Sequence, residues 1–257
     1  MRARPLNRAL FLLGLLCLSV IALLLRFAVV TDYLYARLVK DPERRAPPGR
    51  VIVAPADGTV LYAKTFADGV VPELIKKGVP VAIDDLVKGT PRRPLRSGVL
   101  VGIYMNTFGV HINRVPNDGV IRQRVVYNGP HISMTRAETR IVLTQLLPGV
   151  VELRKLFGLP PFGIEKEADY ILKSAREAIW MEDERRARIC VVRIADYDVG
   201  KILTWVREGE EVLRGQKMGM IAWGSQTDIL MESSPGLNIR VRVGERVRGG
   251  ETILATY

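Results

Sequence analysis

Short runs of β-forming residues, separated by glycine and proline, recur along most of this chain. Such runs lie at 51–53, 59–64, 79–83, 99–105, 120–127, 189–195, 200–207, 218–222, 227–231, 238–243 and 252–256. Each run is short for a helix, and the residues that bound it favour turns. The pattern predicts a mainly β protein of the α+β class.

An internal repeat lies in the C-terminal part of the chain. The pattern V-x-x-G-E-x-V-x-x-G occurs at 206–215 and again at 241–250. A weaker echo links Pro-Ala-Asp-Gly at 55–58 with Pro-Asn-Asp-Gly at 116–119. Paired copies of this kind predict two interlocked β halves, as in a barrel-sandwich hybrid. The pattern resembles lipoyl and biotinyl carrier domains, but neither copy contains the lysine that such domains modify.

One stretch lacks these short β-forming runs, which indicates a small helical insertion at about 132–181. In its second half, apolar residues recur at helical spacing: Ala168, Ile171, Leu172, Ala175 and Ile179. Pro160 and Pro161 separate this half from the first.

The N-terminus is strongly apolar. Residues 9–25 carry no charge, Arg2, Arg4 and Arg8 precede them, and Arg26 follows. A helix from Ala9 to Val30 would be long enough to cross a bilayer, so residues 1–36 are predicted to form a membrane anchor. A signal peptide, a mitochondrial targeting segment and a monotopic anchor are the alternatives. Residues 37–50, charged and proline-containing, then form a linker to a body at 51–257.

The charge balance favours an anionic partner. The formal net charge is +11 and the pI is about 9.9. No basic tract interleaved with aromatic residues occurs, so an anionic membrane surface is favoured over nucleic acid. The two cysteines, Cys17 and Cys190, suggest neither a disulfide framework nor a zinc site, and no metal is expected.

Three short stretches contain the candidate functional residues. Asp57 lies in a P-x-D-G turn, which by itself is usually only a turn. His111 follows an apolar run, where a lone histidine is more often structural, and His131 has the sequence setting of a loop residue. Gly224 and Ser225 lie between two β runs, where glycine can take backbone geometries closed to other residues.

Taken together and in order, these stretches resemble the phosphatidylserine decarboxylase family. The resemblance rests on four segments: KDPERRAPPGRVIVAPADGTV, GVHINRVPNDG, MEDERRARICVVRIA and MGMIAWGSQTDIL. In the last of them, Gln226 stands where the family usually has arginine or threonine. The resemblance covers nearly the whole chain outside the helical insertion.

The resemblance implies a pyruvoyl-dependent enzyme made as a proenzyme. It implies self-cleavage between Gly224 and Ser225, with Ser225 becoming the pyruvoyl cofactor. His111 is expected to act as the base, and Asp57 to hold its imidazole in place. A ketone of this kind supplies the electron sink that decarboxylation of an amino acid requires.

The implied reaction converts phosphatidylserine, or a related serine phospholipid, to phosphatidylethanolamine and CO2. The fragments 1–224 and 225–257 are expected to stay associated at a bacterial cell membrane, with the body on its cytoplasmic face. A non-catalytic barrel-sandwich adaptor and a degenerate decarboxylase homologue are the alternatives.

Overall fold

A computed structural model describes residues 13–26, 39–75, 79–89, 93–105, 109–130, 172–195, 202–221 and 225–257, together with residues 29, 36 and 156. In these parts of the chain the fold is mainly β, as predicted. The longer helical stretches among the described residues are α1 (13–26) and α2 (Ile83–Val87).

The strands are β1 (Val51–Val53), β2 (Gly58–Phe66), β3 (Val70–Ile75), β4 (Val79–Ala82), β5 (Gly98–Met105), β6 (Ile112–Arg114), β7 (Gly119–Tyr127), β8 (Arg176–Glu182), β9 (Arg188–Ala195), β10 (Ile202–Thr204), β11 (Glu211–Val212), β12 (Lys217–Ile221), β13 (Ser225–Glu232), β14 (Asn238–Ile239), β15 (Arg246–Val247) and β16 (Ile253–Thr256). Every predicted run overlaps a strand, and five further strands, β3, β6, β8, β11 and β15, lie outside the predicted runs. All of their pairings are antiparallel.

An eight-stranded sheet forms the centre, in the order β11-β7-β8-β9-β13-β5-β2-β15. Smaller sheets have the orders β1-β16-β14, β10-β12-β6 and β3-β4. Strands β9 and β13 are buried along almost their whole length, because a hydrophobic core covers each face of the large sheet. Alternate residues of β13 therefore point into different cores: Ile229 and Met231 into the first, and Leu230 into the second.

The two copies of the repeat dock crosswise onto the two P-x-D-G turns. Gly209 N donates to Ile121 O, and Gly244 N donates to Val60 O, both at 2.8 Å. The second glycine of each copy adds a matching bond, from Gly215 N to Val115 O and from Gly250 N to Ala54 O, again at 2.8 Å. All four glycines have φ between 80° and 88°, a region that favours glycine.

The helix predicted in the second half of the insertion is wrong at its C-terminal end. Residues Arg176–Glu182 form β8, which pairs with β7 and β9 inside the large sheet. Both faces of β8 are covered, so its residues 178–181 are apolar one after another, and such a run cannot be told from a buried helix by period. Leu172 and Lys173 are helical. Most of the rest of the predicted insertion lies outside the described residues.

The apolar N-terminus is described only in part. Its residues 13–26 form α1, whose large hydrophobic side chains are 46–68% exposed. Among the residues that the structure describes, no helix is both long and apolar enough to span a bilayer. The flanking residues of the predicted anchor, apart from 29 and 36, lie outside the described residues.

The predicted linker contacts the body closely. Arg44 forms ion pairs with Asp57 at 2.7 Å and with Glu251 at 2.9 Å, and its own side chain is only 8% exposed. Asp41 pairs with Arg114 at 2.6 Å and also with Lys217. We call residues 41–44 the strap, because they tie the start of the body to its C-terminal part.

Candidate active site

Ser225 is the first residue of β13 and lies at the centre of the large sheet. It pairs with Met105 of β5 on one side and with Ala195 of β9 on the other. Its side chain is fully buried, and its hydroxyl donates to Met105 Sδ at 3.3 Å. The sheet thus fixes Ser225 from both sides, whereas its predicted cleavage partner Gly224 lies outside the described residues.

His111 is fully buried beside the end of β12. Its Nδ1 lies 2.8 Å from the carbonyl oxygen of Ile221, and Ile221 N donates to the carbonyl oxygen of His111. A carbonyl oxygen only accepts hydrogen bonds, so Nδ1 carries the hydrogen, and in the neutral ring Nε2 is the nitrogen that bears the lone pair. This tautomer is the one in which Nε2 can remove a proton. The strand that positions the imidazole leads directly into the predicted cleavage site.

A buried polar cluster surrounds Ser225 on the same face of the sheet. Asn113 Nδ2 donates to Thr227 Oγ1 at 3.2 Å, and the Thr227 hydroxyl donates to Met105 Sδ at 3.2 Å. The oxygen of the same amide, Asn113 Oδ1, is buried without a hydrogen-bond partner among the described residues. An unsatisfied polar atom inside a core is costly, and this one belongs to an amide that shares Met105 Sδ with the Ser225 hydroxyl.

Sequence reasoning passed over Asn113 and Thr227, although a signal for them was present. Each lies two residues after a candidate residue, Asn113 after His111 and Thr227 after Ser225. Alternate residues of an extended chain face the same side. Two-residue spacing from the candidate residues would have pointed to both.

Asp57 lies away from the imidazole. Among the described residues its carboxylate accepts hydrogen bonds from Gly249 N and from Arg44, both at 2.7 Å. The Ile221 carbonyl is the hydrogen-bond partner of His111 Nδ1. The hydrogen bonds described for Asp57 thus do not reach the His111 ring, and the role of Asp57 in holding the imidazole stays a prediction.

Burial and the neighbouring groups shift the pKa of the Asp57 carboxyl in opposite directions. Burial raises the pKa of its carboxyl above the usual value, while the Gly249 N–H and the charges of Arg44 and Arg114 act to lower it. Arg114 follows His111 on β6, and Arg114 N donates to the carbonyl oxygen of Pro55 at 2.8 Å. The turn that contains Asp57 is thus attached to the strand that follows His111.

The second P-x-D-G turn repeats this arrangement. Asp118 Oδ1 accepts from Arg214 N at 2.8 Å, as Asp57 Oδ1 accepts from Gly249 N. Both turns also require glycine next, because a Cβ at Gly58 would lie 2.1 Å from Tyr104 O and one at Gly119 would lie 2.2 Å from Glu182 O. The hydrogen bond to the repeat is therefore a property of both turns and does not by itself mark a catalytic carboxylate.

The arrangement suits a serine that reacts inside the protein. The Ser225 hydroxyl is shielded from water and held at the end of a fixed strand, and the chain of His111 is hydrogen-bonded to the strand that enters the same junction. A carbonyl at position 225 can only accept hydrogen bonds, so Asn113 Oδ1 would be used by a donor on the substrate and not by the carbonyl itself. The buried side chains of Met105, Asn113 and Thr227 would hold a pyruvoyl group formed at this position.

Comparison with known proteins gives a consistent result. The family model described as phosphatidylserine decarboxylase matches residues 32–255. A putative archaetidylserine decarboxylase proenzyme of Methanocaldococcus jannaschii is 33% identical over 229 residues, which cover 88% of each chain.

Two bacterial relatives are more distant. A phosphatidylserine decarboxylase proenzyme of Chlorobaculum tepidum is 28% identical and aligns over 90% of this chain and 79% of its own. One of Nitrosomonas eutropha is 25% identical over 87% of this chain and 78% of its own. The match spans the strap, both turns and the β13 junction, and the chain belongs to the phosphatidylserine decarboxylase family.

Proposed function

We propose that this protein is a self-processing, pyruvoyl-dependent decarboxylase of a serine phospholipid, with phosphatidylserine as the substrate and phosphatidylethanolamine and CO2 as the products. Family membership supports the reaction class, and the relatives' names describe them as proenzymes. The observation that carries the proposal is the buried Ser225 at the junction of β12 and β13, with Nδ1 of His111 committed to the carbonyl of Ile221.

Self-processing begins at the hydroxyl of Ser225. His111 Nε2 accepts its proton, and the oxygen attacks the carbonyl carbon of Gly224. The Gly224–Ser225 amide bond breaks as an ester forms between the two residues. A base then removes the Cα proton of residue 225 while the bond between Cβ and the ester oxygen breaks, which leaves a Gly224 carboxylate and a dehydroalanine at 225. Water replaces its amino nitrogen, ammonia leaves, and a pyruvoyl group remains.

The mature site keeps the same residues around position 225. A pyruvoyl group supplies the electron sink for loss of CO2 from the substrate's serine moiety. Asn113 Oδ1, a buried acceptor without a partner among the described residues, is suited to an N–H of the bound substrate. His111 would act as the general acid that protonates the substrate carbon after CO2 has left.

Asp57 acts as a positioning residue in this proposal. Its carboxylate holds Gly249 and Arg44, and its turn is hydrogen-bonded to β6 through Pro55 and Arg114. It therefore supports the strand that follows His111 without touching the imidazole.

The lipid substrate places the enzyme at a membrane surface. The exposed apolar side chains of α1 are suited to contact with acyl chains, and the net charge of +11 favours an anionic surface. We propose that residues 1–36 anchor the protein to the cell membrane of a bacterium, with the body on the cytoplasmic face.

Three variants test the proposed chemistry. Ser225→Ala removes both the nucleophile and the pyruvoyl precursor, so it stays uncut and inactive. His111→Ala leaves the hydroxyl without its base, and cleavage slows by about 100-fold or more. His131→Ala, outside the matching motifs, cuts at the normal rate. Cleavage is followed by electrophoresis and decarboxylation by release of CO2 from labelled phosphatidylserine. A Ser225→Ala protein that still yields a fragment starting at 225 would contradict the mechanism.

A further inference from the structure

A buried hydrogen-bonded cluster lies on the face of β13 opposite Ser225. The Gln226 side-chain amide donates to the Tyr62 hydroxyl oxygen at 2.6 Å and to Asp228 Oδ1 at 2.7 Å. The Tyr62 hydroxyl donates to Asp228 Oδ2 at 2.8 Å. None of the three residues is more than 3% exposed. The proposed self-processing chemistry uses none of them, and we call them the anchor triad.

The anchor triad joins the two fragments that cleavage would produce. Gln226 and Asp228 lie within 225–257, whereas Tyr62 lies in β2, within 1–224. Strand β5 lies between β2 and β13, so Tyr62 must reach across it to bond Asp228. Gly102 of β5 makes this possible, because it pairs with both Tyr62 and Asp228.

The fit at Gly102 is close. A Cβ at this position would lie 2.3 Å from the ring carbon Cζ of Tyr62, the carbon that bears the hydroxyl. The ring therefore lies directly over the glycine, and a larger residue at 102 would push the hydroxyl away from Asp228. The hydrogen bond between Tyr62 and Asp228 thus depends on residue 102 being a glycine.

A cation completes the surroundings of the anchor triad. Arg176 of β8 is 1% exposed and is fixed by hydrogen bonds to the carbonyl oxygens of Ser174 and Leu86. Its charge favours an ionised Asp228. Buried polar groups need partners, and apolar residues would fill the same core without that requirement. The polar set therefore fixes the start of β13 more specifically than packing alone.

We infer that the anchor triad retains the new chain end after self-processing, so that the residue bearing the pyruvoyl group stays in its site. This inference rests on the proposed function. Before cleavage, Ser225 is joined to the chain on both sides; afterwards only the bond to Gln226 remains. Chain ends fray unless they are tied down. The anchor triad ties the end down through the second and fourth residues of the new fragment.

The test measures how well the chain end is held in purified, cleaved full-length protein. Tyr62→Phe and Gln226→Met each remove hydrogen bonds of the anchor triad at nearly constant side-chain volume. Gly102→Ala displaces the Tyr62 ring. All three should cut normally. An aminooxy reagent should then label the pyruvoyl carbonyl about tenfold faster than in the wild type, the factor expected when a hydrogen bond that holds the end closed is lost.

Two further readouts separate this role from general stability. Hydrogen exchange should rise in peptides that begin at 225, and kcat should fall while KM for the lipid changes little. Asp228→Asn replaces one of the two oxygens that accept from Tyr62 and Gln226 by an N–H donor, so its pyruvoyl group should also be labelled faster than that of the wild type. Phe66→Leu is the matched control, because Phe66 lies on the same strand and in the same core as Tyr62. It should lower the melting temperature without faster labelling.

The outcomes separate the inference from the proposed function. An uncut wild-type protein without a reactive carbonyl would overturn the proposed function itself. Suppose instead that the wild type is cut and that Tyr62→Phe, Gln226→Met and Gly102→Ala match it in labelling and exchange. That result would overturn the role inferred for the anchor triad and leave the proposed function intact. Folded variants that fail to cut, or faster labelling in Phe66→Leu as well, would also contradict the inference.

Discussion

At the scale of single residues, the two aspartates of the P-x-D-G turns are held in nearly the same way. Asp57 accepts from Gly249 N and pairs with Arg44, and Asp118 accepts from Arg214 N and pairs with the Arg214 side chain at 3.3 Å. The difference is in what surrounds them, since within the described parts of the chain only the turn of Asp57 is hydrogen-bonded to β6, the strand that follows His111. This makes Asp118 a matched control for Asp57.

Asp57→Asn should slow self-cleavage by less than about tenfold. The amide oxygen can still accept from Gly249 N, so the turn survives, but the charge that holds Arg44 is lost, at a cost of roughly 1 to 2 kcal/mol. Asp118→Asn should leave the cleavage rate within about twofold of the wild type. The measurement is the rate at which full-length protein disappears after synthesis.

A larger effect would restore the direct role that the family resemblance assigned to Asp57. In a hydrolase triad, loss of the carboxylate that orients the histidine lowers the rate by about 10⁴-fold. A folded Asp57→Asn protein that cuts more than about 100-fold slower, beside a normal Asp118→Asn, would contradict the positioning role.

Asp228 makes the stability of the protein depend on pH. Burial raises its pKa to about 6, against the hydrogen bonds from Gln226 and Tyr62 and the charge of Arg176. The folded state therefore binds this proton more tightly than the unfolded state, whose carboxyl has a pKa near 3.8. The sign follows from linkage: this contribution to stability is full below about pH 4 and is lost as the pH rises to about 6.

Replacing Asp228 by asparagine should remove that loss. In the uncut Ser225→Ala background, the protein with the added Asp228→Asn substitution should gain about 2 to 3 kcal/mol relative to its parent between pH 4 and pH 7. Urea unfolding at a series of pH values measures the difference. A difference that is constant across this range would show that Asp228 titrates alike in the folded and unfolded states.

At the scale of elements, the strap connects the beginning of the body to its end. Arg44 bonds Asp57 in the first turn and Glu251 near the C-terminus, and Asp41 bonds Arg114 and Lys217. Glu251 belongs to the fragment 225–257, so Arg44 is one of the residues that would hold the cleaved fragments together.

Arg44→Met should destabilise the uncut Ser225→Ala protein by roughly 1 to 3 kcal/mol, because two carboxylates lose a largely buried partner. Arg248 is the matched control, since it pairs with the same Glu251 at 3.9 Å but is 74% exposed. Arg248→Met should change the free energy of unfolding by less than about 0.5 kcal/mol. Equal effects of the two substitutions in urea unfolding would show that burial of the strap contributes nothing.

The elements also show what the sequence could predict. Turn residues bounded most strands, so β1, β2, β5, β7, β9 and β13 were found nearly at their observed limits. The strand β8 was missed because burial on both faces erased its alternation. The strands β11 and β15 have two residues each, and their place was indicated by the repeat rather than by strand composition.

The motifs predicted the candidate site residues but not the groups that these residues contact. Ser225, His111 and Asp57 lay in the matching segments, but their partners did not follow from those segments. The partner of His111 Nδ1 is the backbone carbonyl of Ile221, which every residue type has, so the sequence could not identify it. Tyr62 and Gly102 come together with Asp228 only through the pairing of three strands.

At the scale of the whole molecule, the N-terminal segment and the strap have separate roles. A protein that begins at Val39 loses α1 but keeps the strap, so it should cut normally and bind less to lipid vesicles. Its remaining binding should rise with anionic lipid and fall with salt, because surface attraction is screened over about 10 Å at 0.1 M.

A protein that begins at Pro47 is the comparison, because it loses the strap as well. It should unfold more easily than the protein that begins at Val39. Vesicle sedimentation and thermal melting measure the two effects. Salt-insensitive binding of the Val39 protein to neutral vesicles would instead indicate an apolar insertion surface on the body.

The intact mass of the purified wild-type protein tests the central claim most directly. The account predicts two chains that co-purify, one ending at Gly224 and one covering 225–257, the latter with a pyruvoyl group that shifts in mass with an aminooxy reagent. The chains stay together because β13 pairs with β5 and β9, and β16 pairs with β1. A single species at the full 28.7 kDa, without a reactive carbonyl, would contradict the account.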